Sequence, residues 1–137
     1  MSDNKAVPLL GLVNILTGAF VGFLGADGFE YLITATCLQG GVNYVIPLTG
    51  NTVTAGNTVK NTVLEPAGTL ANLTFKMPPN PVDQQVVAFS TTQILTILTV
   101  SANTGQTMAN GMPTAATAGQ GFAFIFNKSL SKWFRIY

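Results

Sequence analysis

Charge is scarce in this sequence. Of its 137 residues only 8% are charged, six Lys/Arg against five Asp/Glu, for a net charge of +1. Soluble domains carry roughly 25% charged residues, so this chain has about a third of the usual share. A near-neutral chain has little electrostatic protection against self-association. The basic excess that marks nucleic-acid binders is missing. Histidine is absent, which removes the commonest general base and metal ligand. The single cysteine, Cys37, excludes a disulfide framework within the chain. Charge this low together with 47% hydrophobic residues also excludes an intrinsically disordered chain. Three readings fit: a membrane protein, a neutral polar secreted domain, or a part that buries much of its surface in an assembly.

What is abundant points to strands and turns. Thr occurs 18 times and Asn 11 times, with 14 Gly and 7 Pro. Helical bundles favour Ala, Glu, Lys and Leu instead. The stretch Ala6 to Ala26 carries no charge and is long enough to cross a bilayer, about 20 residues being required. Gly18 and Gly22 form the G-x-x-x-G spacing of membrane-helix dimers. Pro8, Gly11, Asn14, Gly18, Gly22 and Gly25 punctuate the run, however, and no basic cluster anchors its end. It reads as a buried strand or docking arm, with Leu12–Leu16 and Ala19–Leu24 as short extended segments and no membrane role.

From Phe29 onward, short β signals alternate with turn clusters. Phe29–Leu38 and Val42–Leu48 flank Gln39-Gly40-Gly41 and read as a hairpin. Val59–Leu64 alternates, with Val59, Asn61 and Val63 on one face. Leu70–Met77 is the clearest strand, Ala71, Leu73, Phe75 and Met77 pointing one way. Pro78-Pro79-Asn80-Pro81 ends it, since proline cannot donate a ladder hydrogen bond. Gln85–Ser90 and Ile94–Val100 follow. In Gly121–Asn127 the residues Phe122, Phe124 and Phe126 share a face, and Lys132–Tyr137 closes the chain. No repeat or heptad is visible. The expected fold is all-β: an antiparallel β-sandwich or jelly roll over residues 27–137, preceded by an extended N-terminal arm over 1–26.

No catalytic constellation emerges, because every Ser, Thr and Cys lacks a His partner. Cys37, inside a strand pattern, reads as a small buried hydrophobe. Asp27 and Glu30 are close in sequence, but Asp27-Gly28 is an ordinary turn pair. Metal-ligand spacings, calcium loops and nucleotide-binding glycine patterns are absent. Neither a cofactor nor a metal is expected, and the chain reads as a non-enzyme. The last ten residues hold Lys128, Lys132 and Arg135 beside Trp133 and Tyr137. They fit either a contact patch, since Trp, Tyr and Arg favour interface hot spots, or a terminal strand with a solvated face.

The run Val63-Leu64-Glu65-Pro66-Ala67-Gly68-Thr69-Leu70-Ala71-Asn72-Leu73-Thr74, with Met77-Pro78 and Pro81-Val82-Asp83-Gln84-Gln85, resembles a β-rich module of tailed-bacteriophage virion proteins. Ser90-Thr91-Thr92-Gln93, Leu98–Thr107, Phe122–Asn127 and Lys132–Tyr137 extend the resemblance over about residues 60–137. Where that module often places Gly after the Asp, this chain has Gln84. Such modules occur in head decoration (cement) proteins and at the ends of fibre proteins, and they have no catalytic residues to carry over. With no repeats to build a shaft, this chain looks like a decoration protein. The resemblance implies a virion structural protein on the capsid surface, with the major capsid protein and copies of itself as partners. No nucleic acid or membrane partner is implied. Expected contact residues are Leu9, Leu10, Leu12 and Val13 in the arm, and Trp133, Arg135 and Tyr137 at the other end. The alternative is a receptor-binding or fibre-tip module, stacking host glycans on Tyr31, Tyr44, Trp133 and Tyr137.

Overall fold

The computed structural model describes residues 20–24, 30–34 and 41–137. Two compact units divide at Gly41 and Val42. In the first, β1 (Phe20–Leu24) and β2 (Glu30–Thr34) form an antiparallel pair, Phe20 opposite Thr34 and Leu24 opposite Glu30. Leu9, Leu10, Leu12, Val13, Asp27 and Cys37 lie outside the described residues.

The second unit is all-β. Its strands are β3 (Val42–Val45), β4 (Thr52–Thr54), β5 (Asn61–Leu64), β6 (Leu70–Lys76), β7 (Val86–Thr91), β8 (Leu95–Ser101), β9 (Thr107–Met108), β10 (Gly121–Asn127) and β11 (Lys132–Arg135). Pairing departs from the expected antiparallel sandwich. β3, β5 and β7 stack in parallel in one sheet, and β4, β6 and β8 stack in parallel in a second. The chain therefore visits both sheets before returning one strand higher, which makes a β-solenoid of three coils: β3–β4, β5–β6 and β7–β8. This replaces the jelly roll and also the expected hairpin, since β3 pairs with β5 and β2 with β1. A period-two pattern specifies which side chains turn inward but not the direction of the neighbouring strand, so alternation alone could not separate the two architectures.

Inward side chains repeat in register from coil to coil. Val53, Phe75 and Val100 stack through the three-stranded sheet, and Leu73 stands on Leu98. In the other sheet Thr62, Phe89 and Phe122 form one row and Val87 and Phe124 another. Phe75 and Phe89 meet across the interior with ring centroids 4.3 Å apart and planes at 30°. β6 and β8 share a corner: Ala71-Asn72 and Thr96-Ile97 each place two successive residues outward, between inward Leu70 and Leu73 and inward Leu95 and Leu98. Ala71 is thus outward, not on the Leu73 face. In β5 the inward residues are Thr62 and Leu64, and Asn61 and Val63 share the outward face.

Amide side chains tie the coils together at their corners without using charge. Asn57 Oδ1 accepts from the Asn80 amide at 3.1 Å, and its carbonyl accepts from Gln85 Nε2 at 3.0 Å. Asn103 Nδ2 donates to the Met77 carbonyl at 3.1 Å. At the Pro-rich corner Gln84 has φ 62, and the Gln85 amide donates to the Val82 carbonyl at 3.1 Å. Gln84 therefore takes the left-handed turn position that glycine favours. Asp83 Oδ1 accepts from the Lys128 amide at 2.9 Å, fixing this turn to the closing strands.

The last coil is closed. β10 pairs antiparallel with β7. Residues 114–116 run along β8, with amide-to-carbonyl distances of 2.8 Å from Leu98 to Thr114 and 2.9 Å from Leu95 to Ala116. β11 adds to β10 antiparallel, and β9 adds to β11 in parallel.

Two substitutions test this architecture. Phe89→Ala removes the ring shared by two rows and should cost about 3–5 kcal/mol in denaturant unfolding. Gln84→Gly relieves a left-handed residue worth roughly 1–2 kcal/mol but adds unfolded-state entropy of about 0.4–1 kcal/mol. It should therefore leave stability equal or up to about 1.6 kcal/mol higher. A clear loss would show that the Gln84 side chain holds the corner.

Candidate interaction surfaces

The expected C-terminal contact patch separates into three different environments. Trp133 is fully buried on the inward side of β11, its ring 5.0 Å from Phe126. Its Nε1–H donates to Gln106 Oε1 at 2.7 Å, and Gln106 Nε2 donates to the Pro78 and Pro79 carbonyls at 2.9 and 3.1 Å. The indole is therefore a clamp between the closing strands and the Pro-rich corner, not a surface anchor or a sugar platform. The pattern around Lys132–Tyr137 alternates correctly, but the inward side is the one that carries Trp133.

Arg135 is exposed yet engaged within the chain. Its guanidinium lies 5.0 Å from the Phe122 ring centroid, a cation–π arrangement. Nε donates to the Tyr137 carbonyl at 3.1 Å and Nη1 to the Gly111 carbonyl at 3.4 Å. Tyr137 is 77% exposed and remains available for contact. Among the aromatics of the glycan reading, Tyr44 is also exposed, at 67%.

Strand register brings together a surface that no single segment shows. On the three-stranded sheet the outward rows are mostly polar: Thr52, Thr74 and Thr99 align, beside Thr54, Lys76 and Ser101, while Asn72 lies opposite the exposed Ile97. That is the ordinary solvated side of a sheet. On the six-stranded sheet the outward rows are mostly apolar or small. Val42, Asn61, Ala88 and Ala123 align across β3, β5, β7 and β10, and Ile136 bonds to Ala123 beyond them. Tyr44, Val63, Ser90 and Gly121 make a second row, and Val86, Ile125 and Phe134 a third. Ile46 and Leu48 continue the β3 line at 72% and 68% exposure. The outer side thus holds an apolar patch, with Asn127 and Lys132 at one end and Glu65 at the other, and a sheet apolar on both sides is usually covered on both. Small residues, Ala88, Ser90, Gly121 and Ala123, meet in the middle of β7 and β10, and larger ones surround them: Val63, Val86, Ile125, Tyr44 and Phe134.

A shallow groove of about 240 Å³ lies beside β8, lined by Ile94, Leu95, Thr96, Ala115–Thr117 and Gln120. Its lining is apolar apart from Thr and Gln, which supplies no nucleophile–base pair. Among the described residues no three His, Cys, Asp or Glu side chains gather to hold a metal, and no helix is long and apolar enough to cross a membrane.

The chain matches no protein-family model, and it shows no significant similarity to any curated protein or solved structure with which it was compared.

The indole clamp gives its own test. Trp133→Phe keeps an aromatic ring but leaves a void and Gln106 Oε1 without its donor, the lost hydrogen bond alone costing about 1–3 kcal/mol. Trp133 is the only tryptophan, so the wild-type emission should be blue-shifted and shift red in a single transition on unfolding. Emission at the solvent-exposed wavelength before unfolding would contradict the clamp.

Proposed function

We propose that this chain is a non-enzymatic virion structural protein that binds the exterior of a bacteriophage capsid and stabilises the head, through contacts with the major capsid protein and with copies of itself. The observation that carries the reading is the apolar outer side of the six-stranded sheet, a surface suited to being covered rather than to facing water. The likeness of residues 60–137 to virion modules supplies the setting. Binding energy alone would do the work: a protein that binds the assembled shell and not free subunits stabilises the particle by mass action. Low charge suits such a part, because closely packed copies with a net charge of +1 repel one another little.

A second reading has a specific observation in its favour. The stacked coils form a solenoid without any fixed sequence period, so the lack of visible repeats no longer argues against a fibre. A fibre-tip module would present the closed end of the solenoid, with Tyr137 nearby, to a host glycan.

Adding purified protein to heads that lack it separates the two. The decoration reading expects saturable binding and a raised temperature of DNA release. No binding to heads, together with hits on a glycan array, would replace it with the fibre-tip reading.

A further inference from the structure

We propose that two copies of this chain pair face to face through the outer side of the six-stranded sheet. The inference rests on the assembling role above and names the surface that serves it. The footprint of five neighbouring strands, β3-β5-β7-β10-β11, is roughly 400 Å² at strand spacings of about 4.8 Å and about five residues of 3.3 Å each. Ile46 and Leu48 extend it along β3. A stable complex takes about 800 Å² from each partner, so this side supplies a large part of one. Exposed apolar patches beyond a few hundred Å² mark contact sites.

Charge and relief both favour a second copy as the occupant. The rows from Val42 to Ile136 and from Tyr44 to Gly121 contain no Asp, Glu, Lys or Arg, and the charges beside them are opposite in sign: Lys132 below Phe134 on β11 and Glu65 next to Ile46. The side is therefore neutral as a whole, and the unlike charges at its two ends let a second copy meet it without net repulsion. Its relief is self-complementary. Tyr44 stands at one margin and Phe134 and Ile136 at the other, while Ala88, Ser90, Gly121 and Ala123 leave a trough between them. A two-fold axis sets the raised margin of one copy into the trough of the next, the isologous contact in which each patch meets its own kind. Sheets packed in this way lie about 10 Å apart.

The test is the mass of the purified full chain by sedimentation equilibrium, with no virus particle present. Wild type should weigh at least twice 14.4 kDa. Ala88→Lys fills the trough with charge, and Tyr44→Lys replaces a side chain that is 67% exposed on an edge strand and cannot be holding the core. Each should raise the dissociation constant tenfold or more, with circular dichroism and melting unchanged. A wild-type chain that stays at 14.4 kDa up to high micromolar concentration overturns the pairing, as does retention of wild-type mass by both variants. A monomeric wild type whose binding to heads is abolished by the same substitutions would instead give this surface to the capsid protein. A dimer that ignores heads would leave the pairing intact and overturn the decoration role.

Discussion

Everything in the second unit depends on one constraint: inward side chains must repeat in register from coil to coil. Phe75 on Val53 and Val100, and Phe89 on Thr62 and Phe122, are the rows that meet it. The contact between Phe75 and Phe89, 4.3 Å apart, joins the two sheets. Parallel ladders bury both strand directions alike, so a single slip by one residue would turn every inward ring outward. The corners protect against that slip. Asn57, Gln85 and Asn103 bond specific carbonyls or amides of the neighbouring coil, and those bonds exist in one register only. Abundant Asn, Gln and Thr are thus structural, replacing the ion pairs that a more charged protein would use at its surface.

The closing strands solve a different problem. A solenoid presents bare backbone at its ends, and a bare edge templates aggregation. β10 covers β7 with an antiparallel partner, and residues 114–116 cover β8. The Gln106–Trp133 bond then holds this closure to the coils beneath it. Trp133 and Arg135 both contribute to cohesion of the chain.

Much of the fold was legible residue by residue, and its connectivity was not. Phe122, Phe124 and Phe126 announced their shared face by strict alternation, and the structure places all of them inward. Leu73, Phe75 and Met77 did the same. The parallel stacking left no trace, because Val42, Asn61 and Ala88 occupy equivalent places at unequal intervals. Thr62 faces inward, against its polarity, since its row is set by Phe89 and Phe122 above it. The apolar outer side was hidden for a related reason. Its members are one or two residues from each of several strands, and Ala88 or Gly121 alone says nothing. Trp133 misled because a large aromatic near a chain end fits a hot spot as well as a core.

The closure has a consequence for the order of events during synthesis. β7 and β8 are complete by Ser101, but the segments that cover them extend to Asn127. A ribosome adds roughly 5–20 residues each second, so the topmost coil stays uncovered for a few seconds while its lid is still being made. In that interval the nascent coils offer two parallel edges to any other extended chain nearby. Clustered synthesis on one message would bring such chains together, and residues 114–127 must reach their own coil before a neighbour's edge does.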